Sequence, residues 1–296
     1  MKKGVWFGVG AYILWGVLPV YWKWVKMIDS KEVLSHRIVW SFVLLVLFMM
    51  ITKQWKTFRE KALTGPMIRR YILTASLLVI NWLTYIWAVG AGYIVETSLG
   101  YFINPLFSVV LGVVFLREKL RPLQWVAIAI AAGGVLYLTI SYGALPWIAL
   151  TLAFTFGLYG LIKKVSPLSS AHGLGLETGV LLLPMIAYLV FLEFDSGGSM
   201  FRVNWTMDLL LVGTGLVTVT PLLLFSSSVQ RIPLSLVGIL QFIAPSLQLL
   251  LAVFVYHEPF TQVQLIGFSM IWIALTLYWG EGFLVKRKIK IPATVN

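Results

Sequence analysis

Ten stretches of about twenty apolar residues fill this chain, and the segments between them are short. A hydrocarbon core about 30 Å thick takes about 20 helical residues to cross. The stretches run over 4–24, 33–52, 71–91, 97–116, 123–142, 145–162, 174–193, 207–228, 234–256 and 262–284. Within lipid no water can satisfy backbone N–H and C=O groups, so each crossing must close its own hydrogen bonds as a helix. The expectation is an all-α polytopic membrane protein with ten transmembrane helices.

The composition removes the competing classes. Hydrophobic residues make up 59% and charged residues 11% of the 296 positions, where soluble domains carry about 25% charge. Cysteine is absent, which excludes disulfides, thiolate metal sites and a cysteine nucleophile. His36, His172 and His257 lie far apart with no metal-ligand spacing, and no cofactor is expected. The net charge of +12 resides in loops rather than in a nucleic-acid surface, so nucleic acid is not an expected partner. Lys2-Lys3 and the apolar run that follows resemble a secretory signal, but there is no small-x-small cleavage site, and an uncleaved first span is expected.

Orientation follows from the basic residues. With the N-terminus inside, eighteen of the 23 Lys and Arg fall on inner segments, six of them in the 53–70 loop. Five remain near the outer side: Lys23, Lys26, Lys31, Arg37 and Arg202. This asymmetry predicts that both termini are cytoplasmic, which an even number of spans satisfies.

Displacing the chain by 140 residues aligns it with itself. Phe102-Ile103 falls on Phe242-Ile243, Pro105 on Pro245, Leu111 on Leu251, Val113 on Val253, Glu118 on Glu258 and Gln124 on Gln264. The repeat divides the chain into 1–142 and 143–296, five spans each. Five is odd, so the second half enters the membrane in the opposite sense. Inverted repeats of this kind recur in secondary transporters, with the solute site near the midplane where the halves meet.

The proline followed thirteen residues later by glutamate, Pro105 to Glu118 and Pro245 to Glu258, resembles the EamA-type transporters of the drug/metabolite transporter superfamily. The segments Leu14-Trp15-Gly16-Val17-Leu18-Pro19, His36-Arg37-Ile38-Val39-Trp40-Ser41, Asn81-Trp82 and Ser98 to Leu106 look most like the RarD group. The resemblance covers nearly the whole chain. It implies ten helices in two inverted five-helix repeats, transport of small metabolites or drugs, and a place in the bacterial inner membrane.

Inside the spans no charge lies near a centre. The polar set there is Asn81, Asn104, Gln241, Gln248, Thr218 and Thr220, with Tyr12, Trp15, Trp40, Tyr85 and Tyr101 as amphipathic aromatics. An amide in lipid needs a partner, so these residues are expected to face the bundle interior, either as interhelical hydrogen bonds or as the wall of a cavity for a small amphipathic solute. Arg37 and Glu177 lie about one turn inside opposite faces. Ionisable residues within the membrane are functional candidates. For Arg37 the expected partner is Glu96, with Asp29 and Glu32 as alternatives; for Glu177 it is Lys163, Lys164 or Arg231. Each pair would tie helix ends together, act as a gate, or, at Glu177, couple transport to protons. Pro105 and Pro245 are expected hinges. Glu118 and Glu258 are expected to cap or pack at a helix end.

Three function classes are weighed. A transporter of small molecules across the bilayer accounts for the inverted repeat. An intramembrane enzyme would need a nucleophile with a base, or a metal cluster, and no His-Glu-x-x-His or Gly-x-Ser-x-Gly occurs. A non-transporting membrane receptor or assembly factor is the alternative.

Overall fold

The computed structural model describes residues 2–91, 93–195, 197–257 and 261–290, with side chains at 90, 94, 95 and 282–290 excepted. Glu258, one of the repeat positions, lies outside the described residues. The described residues form twelve helices: α1 (Lys2–Trp24), α2 (Ser30–Ile51), α3 (Trp55–Ala62), α4 (Gly65–Gly90), α5 (Ile94–Leu116), α6 (Pro122–Tyr142), α7 (Trp147–Lys164), α8 (Ser170–Phe194), α9 (Trp205–Val229), α10 (Leu234–Gln241), α11 (Ile243–Phe254) and α12 (Gln262–Lys290). Among the described residues nine segments are long and apolar enough to cross a membrane, α10 and α11 counting together as Leu234–Phe254. The protein is an all-α polytopic membrane protein. The remaining expected span, α7, is 18 residues long and ends in Lys163-Lys164.

Short polar residues start the helices where the backbone leaves N–H groups unpaired. Asp29 Oδ1 accepts the Lys31 N–H at 2.9 Å to open α2, Ser169 Oγ accepts from His172 at 3.3 Å to open α8, and Asn204 Oδ1 accepts from Met207 at 2.8 Å to open α9. Two helix entries repeat at an interval of 140. Gln124 Oε1 accepts the Arg121 N–H and Gln264 Oε1 accepts the Thr261 N–H, both at 2.9 Å. Just upstream of each, Arg117 and His257 both adopt left-handed backbone with φ of 54°.

The polar 53–70 segment is more than a loop. Trp55, Phe58 and Ala62 recur at helical spacing and form the apolar face of α3. Phe58 is buried and its ring lies 5.8 Å from that of His172 on α8. The exposed face carries Lys56, Arg59, Glu60 and Lys61.

The helices pack in matched pairs. α1 lies against α9 and α11, and α7 lies against α4 and α5. α2 lies against α9, and α8 against α4. Three further pairs, α2 with α8, α5 with α10 and α6 with α12, complete the bundle. At the α5–α10 crossing a Cβ on Gly238 would stand 2.5 Å from the Pro105 carbonyl oxygen. Only glycine permits that approach.

The two repeat-related prolines act differently on the backbone. α5 runs unbroken through Pro105. The expected ninth span, α10 with α11, is parted at Phe242, three residues before Pro245, whose missing N–H leaves the Gln241 carbonyl without its helical donor.

Contacts sort the helix ends into two faces. Gly4 lies against Ile232, Lys164 Nζ donates to the Val229 and Ile232 carbonyls at 3.0 and 2.7 Å, and the Tyr71 hydroxyl bonds Ser166. This is the proximal face, where α1 begins. On the distal face Tyr21 donates to the Leu210 carbonyl at 2.5 Å, Glu32 meets Ser199, and Glu96 meets the start of α7.

Candidate functional site: a cavity with one cation

Between the two faces lies a cavity of about 170 Å³, lined by α1, α2, α4, α5, α7, α9, α10 and α11. Its amides are Asn81, Asn104, Gln241 and Gln248. Its aromatic wall is Tyr12, Trp15, Trp22, Trp82, Tyr85, Tyr101 and Phe156. Thr218, Pro19, Pro245 and Leu152 contribute as well, and Arg37 is the one ionisable acid or base in the lining besides the tyrosines.

Three of the four amides are held by a bond to a neighbouring helix. Asn81 Nδ2 donates to the Leu152 carbonyl and to Thr155 Oγ1, both at 2.9 Å, joining α4 to α7. Gln241, at the end of α10 where the ninth span breaks, donates to Ser108 Oγ at 2.9 Å. Gln248 Nε2 donates to the Trp15 carbonyl at 3.2 Å. Asn104 Oδ1, Tyr12 Oη and Gln241 Oε1 are buried with no hydrogen-bond partner among the described residues. The cavity therefore presents unused polar atoms to whatever occupies it.

Towards the proximal face a cluster of rings closes the cavity. Trp15 lies 5.8 Å from Phe156 and 5.7 Å from Phe225, and Phe225 stacks on Tyr159 at 6.0 Å. Beneath it Lys163 Nζ sits 3.2 Å from both carboxylate oxygens of Glu177, with the Tyr159 hydroxyl donating to Glu177 Oε2 at 3.2 Å. Of the three cations expected for Glu177, Lys163 is the partner. Gly173 makes the space, since a Cβ there would stand 2.9 Å from Lys163 Nζ.

Arg37 and Glu96 do not pair. Arg37 Nε donates to Thr218 Oγ1 at 3.0 Å, and its guanidinium carbon lies 4.7 Å from the ring centres of both Trp22 and Trp82. Glu96 accepts the Ile148 N–H at 2.7 Å and the Tyr142 hydroxyl at 3.0 Å. Asp29 and Glu32 are not its partners either: Asp29 caps α2, and Glu32 accepts from Ser199 N at 2.7 Å and Ser199 Oγ at 2.9 Å. Aromatic faces replace the expected carboxylate as the support for the cation. Glu118 takes the expected capping role across the bundle, accepting from Leu234 N at 2.6 Å, Ser235 N at 2.9 Å and Ser235 Oγ at 2.6 Å. A carboxylate at the start of α10 also complements the positive end of that helix.

Trp40 lies outside the cavity lining, packed against α9 where Gly215 lets the two backbones approach. Thr220 bonds the Leu216 carbonyl of its own helix at 2.9 Å and lies outside the cavity lining. Pro105 is outside the lining too, while Pro245 is in it. Trp22, Trp82 and Phe156 are wall residues without a sequence signal of their own, except that Trp82 follows Asn81.

The model of the EamA-like transporter family matches this chain twice, over residues 2–140 and 145–280. The chain belongs to the EamA-like transporter family. Among its EamA-like relatives, the uncharacterized transporter YojE of Bacillus subtilis is 45% identical, over 98% of this chain and 97% of that one. Protein RarD of Escherichia coli is 39% identical, covering 97% of each. The chloramphenicol-sensitive protein RarD of Pseudomonas aeruginosa is 32% identical, again over 97% of each. A solved crystal structure matches with a TM-score of 0.72 at 17% identity, over 94% of this chain and 97% of the other, and so shares the fold. This EamA-like protein is thus a multi-pass bacterial membrane transporter of the RarD type, and its family consists of transporters rather than enzymes.

Proposed function

We propose that the chain carries small amphipathic metabolites or drugs across the bacterial inner membrane by alternating access, with the central cavity as the solute site. Ten spans form two inverted five-helix repeats, 1–142 and 143–296, and both termini are cytoplasmic. The lipid bilayer and the small-molecule solute are its partners.

The observation that carries this reading is the cavity itself. It is buried between the two faces, both halves of the chain contribute to it, and it combines aromatic walls with a few fixed amides, as sites for flat amphipathic solutes do. The matched packings support the repeat. Exchanging the two halves turns α1 with α9 into α7 with α4, and α2 with α9 into α8 with α4. The left-handed Arg117 and His257 and the paired Gln124 and Gln264 caps support it too.

Alternating access then requires that the proximal ring cluster part while the distal end closes. The broken ninth span at Pro245, with Pro105 against Gly238 on the facing helix, is where that bending would concentrate. Lys163 and Glu177 lie beneath the ring cluster and are the group through which protons would couple.

Purified protein in proteoliposomes tests the function. Flux of a panel of amphipathic solutes, including chloramphenicol because of the Pseudomonas aeruginosa relative's name, is expected to exceed that of empty vesicles and to fall in Gln241→Ala. A pH gradient should drive it if Glu177 couples to protons. Ligand binding without flux of any bound solute would favour the receptor alternative.

A further inference from the structure

Arg37 is a cation held for something that the protein itself does not supply. It faces the cavity from α2. No ion pair among the described residues involves it, and its sole hydrogen bond there is Nε–H to Thr218. Nη1 and Nη2, the two ends of the guanidinium fork, keep their donors free. No Asp or Glu among the described residues lines the cavity. Five acids at the distal helix ends are engaged elsewhere: Asp29 with Lys31 N, Glu32 with Ser199, Glu96 with Tyr142 and Ile148, Glu193 with Arg202, and Asp208 with Phe201 N.

A full positive charge at membrane depth is costly and ordinarily finds a counter-charge. Here the guanidinium carbon lies over the rings of both Trp22 and Trp82, 4.7 Å from each centre. Cation–π contact offsets part of the desolvation cost but offers no acceptor for the fork. It also fixes the plane of the guanidinium, and a fixed fork suits the two oxygens of a carboxylate.

We propose that the cavity selects organic anions, specifically aromatic solutes bearing one carboxylate, and that Arg37 is the residue that binds that carboxylate. The proposal rests on the cavity being the solute site and names the chemical class it takes. The aromatic body lies along Trp15, Tyr85, Tyr101 and Phe156, and Asn104 Oδ1 accepts from any N–H or O–H the solute carries. The Nε bond to Thr218 leaves Nη1 and Nη2 for the carboxylate.

The test is binding, read as quenching of tryptophan fluorescence in purified protein, with matched probes on one scaffold: naphthalene-2-carboxylate, its neutral amide and the corresponding methylammonium. The carboxylate is expected to bind at least tenfold more tightly than either analogue. Arg37→Gln should bring that ratio close to one, Arg37→Lys should leave an intermediate preference, and Lys56→Gln, which removes an exposed cation on α3 far from the cavity, should keep it. Thermal unfolding of each variant checks folding, and if Arg37→Gln does not fold, Arg37→Lys carries the comparison. Equal or tighter binding of the amide or ammonium, a preference that survives Arg37→Gln, or failure of all three probes to bind overturns the proposal. Flux in proteoliposomes separates it from the transport reading. Carboxylate binding through Arg37 without flux leaves the anion site standing and removes transport. Flux of neutral or cationic solutes alone does the reverse.

Discussion

Lys163 Nζ lies 3.2 Å from both carboxylate oxygens of Glu177, and the two side chains are 1% and 0% exposed. The pair ties the end of α7 to the first turns of α8 beneath the cavity. Removing one partner leaves the other charge buried without compensation, which costs about 3–5 kcal/mol, whereas replacing both with apolar groups of similar volume is often close to neutral. Lys163→Met should therefore lower stability strongly in denaturant unfolding of purified protein. Lys163→Met with Glu177→Leu should recover most of the loss. Single and double variants equally unstable would mean that the charges contribute little beyond their packing.

The α5–α10 crossing should be intolerant of a methyl group. Gly238→Ala places a Cβ against the Pro105 carbonyl oxygen, and overpacking of this kind costs about 1–3 kcal/mol. Gly65→Ala is the control, because nothing lies within 4 Å of a Cβ there. A Gly238→Ala protein as stable as Gly65→Ala would mean that the crossing yields easily.

Asn81→Leu removes both donor contacts from α4 to α7. Interhelical hydrogen bonds in membranes average about 0.6 kcal/mol, so the fold should survive with a small loss of stability. Solute binding should weaken more than stability does, since the side chain also lines the cavity. Unaltered affinity in the folded variant would leave Asn81 with a helix-joining role alone.

The absence of cysteine makes topology simple to measure, because any cysteine introduced is the only one. An impermeant maleimide applied to whole cells should label Arg202→Cys and spare Lys56→Cys on α3 until the cells are opened. The reverse pattern would invert the orientation that the basic residues predict.

How much of this was legible in the sequence depends on the physics involved. The amides Asn81, Asn104, Gln241 and Gln248 are legible because an unsatisfied amide in hydrocarbon is costly wherever it sits, and all four line the cavity. Trp40 is not, because a tryptophan satisfies either lipid or core, and the rotation of α2 is set by its contact at Gly215. The support of Arg37 escapes the sequence since depth and charge suggest an acid, while two indole rings from α1 and α4 meet only in three dimensions. Helix α3 hides behind its charges, and its apolar face is just three residues, Trp55, Phe58 and Ala62. Lys163 reads as a loop-end cation, and the gap at Gly173 that admits it to the bundle lies on another helix.

Three glutamates of the first half, Glu32, Glu96 and Glu118, each accept a hydrogen bond from a backbone N–H of the second: Ser199, Ile148, and Leu234 with Ser235. A side chain can be lost by one substitution, but every residue except proline brings its own backbone N–H. The joint is thus genetically lopsided. Random variation should be poorly tolerated at the three glutamates, while the N–H given by half-buried position 199 survives any replacement except proline; Ile148 and Leu234 are constrained by their burial instead. The halves of this chain are held together by a lock whose wards all lie on one side.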